Sequence, residues 1–302
     1  MPAEIGTVAM VTVGAPNLLV SGSNPRPIHR IQHQRFTEQK GWHLKDISLS
    51  SAGHFAISGG NYNTGQTFID LYFIKSFDSS ALIKLLWTKE FSKYANDWER
   101  LVSILNDFDE MVTSVVDELA IVNTNEGKSL GSCKVSGTVT CLAVNGGDIF
   151  IGFLRSTEVK VYGRDLRQQR TINLDDIGAG DSLWDMAVTS EGLFVRSFRG
   201  KALLFGENDG KLRHTVRDSK HSPACSVGSC LRDNTLCVLY NWNKIVIYSL
   251  SEYKCVSIVR VEKDVDVVRL LNGDGIVTGN WKNGEIQIYT LLRQKLVKAP
   301  TM

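Results

Sequence analysis

Residues 226–261 read SVGSCLRDNTLCVLYNWNKIVIYSLSEYKCVSIVRV, and residues 266–299 read DVVRLLNGDGIVTGNWKNGEIQIYTLLRQKLVKA. The second stretch repeats the pattern of the first. Each has an apolar run, a polar turn and a second run ending in Asn-Trp. A tight turn follows, then an alternating run ending in Tyr, then a last strand. Trp242 and Trp281 are 39 residues apart, and Tyr248 and Tyr289 are 41 apart. A period near 40 with four short strands is the signature of one blade of a β-propeller.

The third-strand endpoint serves as a ruler for the upstream chain. It falls at Tyr72, Val122, Tyr162, Phe205, Tyr248 and Tyr289, with gaps of 50, 40, 43, 43 and 41 residues. One further step back from Tyr72 reaches Gln32, and VAMVTV and NLLVSGS precede it as strand candidates. Seven units then fit, starting near Gly6, His43, Trp98, Ser136, Asp181, Ser222 and Lys263. The expectation is an all-β, seven-bladed propeller of four antiparallel strands per blade, six blades being the alternative. Its single domain covers residues 1–302. Regular periodicity over the whole length argues against a pair of β-sandwiches. LIKLLW reads as a fourth strand; a short helical turn near Ser79 would explain the 50-residue gap. Ring closure is expected through an N-terminal segment, Pro2 to Val8, covering the edge of the last blade.

Composition excludes several classes. A formal net charge of +2 with no Lys/Arg run beyond two residues gives no basis for nucleic-acid binding. No run approaches the roughly 18 apolar residues of a membrane helix. The six cysteines form no C-x-x-C pair, four of them lie in apolar strand runs, and no signal peptide precedes them. A reducing, cytoplasmic or nuclear setting is expected, with the domain acting as a monomer. No cofactor or metal is expected: the six histidines are scattered, and NDFDEM has too few oxygen ligands for calcium.

The repeat resembles the WD repeat, and the chain as a whole resembles a divergent WD40 propeller. The matching positions are the third-strand aromatics Tyr72, Tyr162, Phe205, Tyr248 and Tyr289. The family's following Asp is replaced here by Phe73, Gly163, Gly206, Ser249 and Thr290, and its Gly-His is missing. The chain's own Trp184-Asp185 stands before a first strand instead. The resemblance implies a rigid platform for proteins or peptides, without catalysis. It also implies that these blades hold together without the family's buried Asp-His network.

The loops joining second to third strands open on one face. They read NPRP, GGNYNTGQ, FLRSTE, SFRGK, NWNK and NWKNGE. They carry Tyr62, Arg155, Phe198, Arg199, Trp242, Lys244, Trp281 and Lys282, the aromatic and Arg mixture of interface hot spots. Trp184 and Lys220 lie in adjoining blade-to-blade segments. Basic groups beside aromatics suit an acidic or phosphorylated peptide. The expectation is therefore a non-catalytic module holding a partner protein or peptide on this face. Two alternatives stand beside it. One is a propeller hydrolase or lyase using the blade-entry carboxylates Asp181, Asp185, Asp264 and Asp266 in the central channel. The other is the substrate-receptor domain of a ubiquitin ligase.

Overall fold

The computed structural model describes residues 10–13, 29–33, 35–36, 41–50, 53–61, 63–74, 83–91, 102–105, 109–115, 117–174, 177–178, 181–216, 223–230, 234–271 and 275–290. Two short strands come first, β1 (Met10–Val13) and β2 (His29–Gln32). Blade one is β3 (Trp42–Leu49), β4 (His54–Asn61), β5 (Thr67–Ile74) and β6 (Ile83–Phe91). Blade two is β7 (Val102–Leu105), β8 (Glu110–Val115), β9 (Glu118–Asn123) and β10 (Ser129–Lys134). Blade three is β11 (Val139–Asn145), β12 (Asp148–Phe153), β13 (Glu158–Tyr162) and β14 (Gln168–Asn173). Blade four is β15 (Leu183–Thr189), β16 (Gly192–Ser197), β17 (Ala202–Phe205) and β18 (Leu212–Val216). Blade five is β19 (Ala224–Cys230), β20 (Thr235–Tyr240), β21 (Lys244–Ser249) and β22 (Lys254–Arg260). Blade six starts with β23 (Val265–Leu271), β24 (Gly275–Asn280) and β25 (Glu285–Thr290).

The chain is a six-bladed β-propeller, not seven-bladed. All six ruler positions fall on third strands. The extra step back to Gln32 lands on β2, which pairs with β25 as the fourth strand of blade six. β1 then pairs with β2 as a fifth. The segments expected to form a first blade and to complete a last one are thus one sheet. Ring closure does use an N-terminal strand, but it is His29–Gln32. Pro2–Val8, Gln294–Lys298 and the turn near Ser79 lie outside the described residues. Ile31 explains the choice of strand. It is fully buried and packs with Ile286 and Ile288, a contribution of about 2 kcal/mol. Arg30 pairs with Glu285 at 2.8 Å and with Glu262, whose carboxyl it holds below the ordinary value.

Each blade is apolar on both faces because each face meets a neighbour. Six hydrophobic clusters result, one at each junction between consecutive blades, including that between blades six and one. The innermost strands touch in a closed circle: β3, β7, β11, β15, β19, β23 and back to β3. Two β-bulges recur. One on the fourth strand faces the ruler residue, with Leu86, Leu130, Gln169, Arg213 and Val256 as the extra residues. The other lies on the first strand, at Lys45, Thr140, Trp184, Cys225 and Asp266. A bulge sharpens local twist and turns a side chain out of the pleat.

The residue after the first-strand bulge reaches the next blade. Asp185 Oδ2 accepts hydrogen bonds from Ser226 Oγ at 2.6 Å and the Val227 amide at 3.1 Å. Ser226 Oγ in turn accepts from the Val268 amide at 3.3 Å. Arg269 completes the relay, donating to Asp185 at 3.3 Å, to Asp46 at 2.7 Å and to the Ile47 carbonyl at 3.0 Å. Blades four, five, six and one are thereby tied around the axis. Burial opposes the charge on Arg269, but Asp185 and Asp46 outweigh it and raise the pKa of the guanidinium.

Turn chemistry fixes the spacing between blades. Gly210, in the turn between β17 and β18, has φ +63°, and a Cβ there would stand 1.9 Å from the Asn173 carbonyl of blade three. Gly210→Ala is expected to lower the thermal midpoint by about 4 °C or more, from the left-handed backbone and the clash together. An unchanged midpoint would show that blades three and four are not held this closely.

Candidate interaction face

The loops between second and third strands, and those between consecutive blades, lie on one face, since strand direction alternates within each blade. Of the eight residues expected there, Tyr62 lies outside the described residues, as does Lys220 of the adjoining segments. The other seven come from blades three to six. They divide into two groups.

Trp281 turns inward, whereas Lys282 beside it stays exposed. The loop Asn280–Gly284 places Gly284 at φ +64°, so a glycine takes the left-handed position. Asn280 Oδ1 accepts the amides of Lys282 and Asn283 at 2.9 and 3.3 Å. Trp281 then stacks on His43 of blade one, centroids 4.8 Å apart. Its carbonyl accepts the Leu44 amide at 3.2 Å. Lys282 pairs with Asp264 at 3.4 Å. Trp281 thus fastens blade six to blade one, while the Lys282 pair stays within blade six.

Trp242 does the opposite, although it also follows an Asn. Its loop is one residue shorter and has no glycine. Asn241 and Trp242 themselves take positive φ, +49° and +60°. The Asn243 amide donates to the Tyr240 carbonyl at 3.3 Å. This sign pattern is that of a type I′ turn, which favours Asn-Gly. A bulky residue in this region costs about 1–2 kcal/mol. The indole is nonetheless 46% exposed. Lys244, which opens β21, is half-buried.

Phe198 is 53% exposed on the neighbouring blade four, and Arg199 and Arg155 are also exposed. Ser182 joins two of these loops: its hydroxyl accepts the Arg155 amide at 2.8 Å and its carbonyl accepts the Phe198 amide at 2.8 Å. Phe198 contacts Trp184 at 5.3 Å between centroids, and Arg196 lies 5.0 Å over Trp184. Arg196 Nε donates to the Ala224 carbonyl at 2.9 Å, on blade five. Burial pushes the Cys225 thiol up, while amides of Trp242 and Asn241 hydrogen-bond to it and oppose that rise. Arg155, Phe198 and Trp242 therefore sit on one continuous set of contacts across blades three, four and five. Ser182 and Arg196 did not stand out in the sequence. The relevant signal is the bulge at Trp184, which brings that indole beneath Phe198.

The carboxylates considered for channel chemistry are separated by their partners. Asp185 is held by Arg269, Asp264 by Lys282, and Asp266 accepts the Trp281 amide at 3.1 Å. Asp181 Oδ1 accepts the Ser182 amide at 2.9 Å.

No family model matches this chain, and no curated protein sequence matches it. Among solved structures, the crystal structure of Raptor from Chaetomium thermophilum is similar, with a TM-score of 0.59 at 11% identity. The similarity covers 87% of this chain and 26% of that one, so the chain corresponds to about a quarter of that protein's length. In all, 1404 chains match. At such identity the likeness shows the fold alone, and a fold so widely used does not choose a function.

Proposed function

We propose that this propeller is a non-catalytic interaction platform whose binding face lies on blades three to five, centred on Trp242 and Phe198. A propeller fold is consistent with a protein-interaction scaffold. The observation that carries the reading is Trp242: an exposed indole held where glycine would relieve the backbone. Strained positions of this kind concentrate at functional sites. Phe198 supports it. Among the described residues four large apolar side chains are strongly exposed: Leu130, Phe198, Trp242 and Val256. The first and last are bulge residues on fourth strands, whereas Phe198 and Trp242 share one face on adjacent blades.

The test is affinity capture from a cell extract with the wild-type chain, Phe198→Ser and Trp242→Gly. Both substitutions are expected to lose the same retained protein, by about tenfold or more, as truncating a hot spot does. A Trp281→Ala variant probes the inward-facing side chain instead. Retention unchanged in both Phe198→Ser and Trp242→Gly would overturn the assignment of this face.

A further inference from the structure

Resting on that reading, we infer that the face takes an extended, acidic segment of another protein, in which an apolar side chain is flanked by Asp or Glu. The charge distribution around the aromatics is the reason. Arg155, Arg199 and Lys201 are exposed, on the adjacent loops of blades three and four. Among the described residues, no carboxylate pairs with any of the three. Among the described acids on this face, Glu158 is exposed in the Arg155 loop and forms no ion pair among the described residues. Others are paired or buried. Glu262 is bound by Arg30, Asp264 by Lys282, and Asp181 is 1% exposed. A guanidinium presents a planar fork that matches a carboxylate with two parallel hydrogen bonds, and Arg155 and Arg199 are both exposed. Phe198 and Trp242 supply the apolar anchor between blades four and five.

The partner is a protein segment and not a nucleic acid. Three cations on one side of a chain of net charge +2 do not make the broad basic field that a phosphate backbone requires. It is extended because the contacts run from loop to loop along the rim, from Arg155 through Phe198 to Trp242, and a strand-like segment can follow that path.

The experiment presents the intact chain to an immobilised peptide array. The array holds acidic, basic, neutral and phosphorylated sequences, each built around one Leu or Phe. Wild type is expected to retain acidic peptides about tenfold over neutral ones, and to lose most of that preference between 50 and 500 mM salt. Arg199→Glu, at an exposed side chain, should keep its melting midpoint and shift preference towards Lys-rich peptides. Binding lost in Trp242→Gly but showing no acidic preference in wild type overturns this inference while leaving the binding face intact. Retention restricted to basic peptides, or to phosphorylated peptides lacking Asp and Glu, also overturns it. So does retention of none, in which case capture of a folded partner still decides the face itself.

Discussion

Arg269→Met is expected to destabilise the fold by about 3–5 kcal/mol, the range for removing one partner of a buried ion pair. The guanidinium is 16% exposed, and Asp46 and Asp185 opposite it are 1% and 2% exposed. Without it two carboxylates remain in a low-dielectric core with little to offset their charge. Methionine fills much of the volume, so the loss is electrostatic and not a cavity. Adding Asp46→Asn and Asp185→Asn to Arg269→Met should therefore recover a large part of the loss. Chemical denaturation monitored by tryptophan fluorescence measures all three backgrounds. A single-variant loss below about 1 kcal/mol, or no recovery in the triple variant, would show that the relay does not hold the ring.

Deleting residues 1–33 is expected to have an effect at least as large. β2 forms four register pairs with β25, and Ile31 is fully buried in one cluster with Ile286 and Ile288. The deletion also removes His33, whose Nε2 lies 2.5 Å from Asp70 Oδ2 with both side chains 1% exposed. That bond reaches across the junction from the closing strand to blade one. Its loss leaves a buried carboxylate with one less partner, and β25 becomes an open edge. The summed cost is about 5 kcal/mol or more, a large share of a typical folding stability. The melting midpoint should fall by about 10 °C or more, or the chain should aggregate. Melting unchanged by the deletion would mean that the ring closes without this strand.

The repeat was legible because each third strand carries, at or near its end, a residue that packs between blades, and packing recurs with the blade. Tyr72, Val122, Tyr162, Phe205, Tyr248 and Tyr289 are all buried. Blade number was less legible. Closure joins β2 to β25 across more than 250 residues, and local periodicity carries no trace of such a pairing. An N-terminal run that alternates like a strand reads as a further blade until its partner is known. The Arg269 relay was hidden for a different reason. An Arg on an alternating strand reads as solvent-facing, and Asp185 reads as part of a misplaced Trp-Asp. Only the first-strand bulge brings these side chains to the axis.

The site shows how little separates an anchor from a fastener. Asn241-Trp242 and Asn280-Trp281 are the same dipeptide at the same point of the repeat. Gly284, four residues after Asn280, takes the left-handed backbone and lets Trp281 fold onto His43. No glycine follows Trp242 within its loop, so the strain falls on Asn241 and Trp242. That difference was present in NWKNGE against NWNK. The expectation of eight equivalent contact residues did not use it.

The central claim is that Trp242 is kept for binding at a cost to stability, and the melting midpoint of Trp242→Gly tests it most directly. Glycine restores the favoured Asn-Gly turn while leaving the backbone free to accept the Val265 amide, now held at 3.0 Å by the Trp242 carbonyl. The relief of about 1–2 kcal/mol is partly offset by the greater freedom of glycine in the unfolded chain. The predicted result is a midpoint about 1–3 °C above wild type. A midpoint several degrees below wild type would contradict the account, by showing that the indole serves the fold itself.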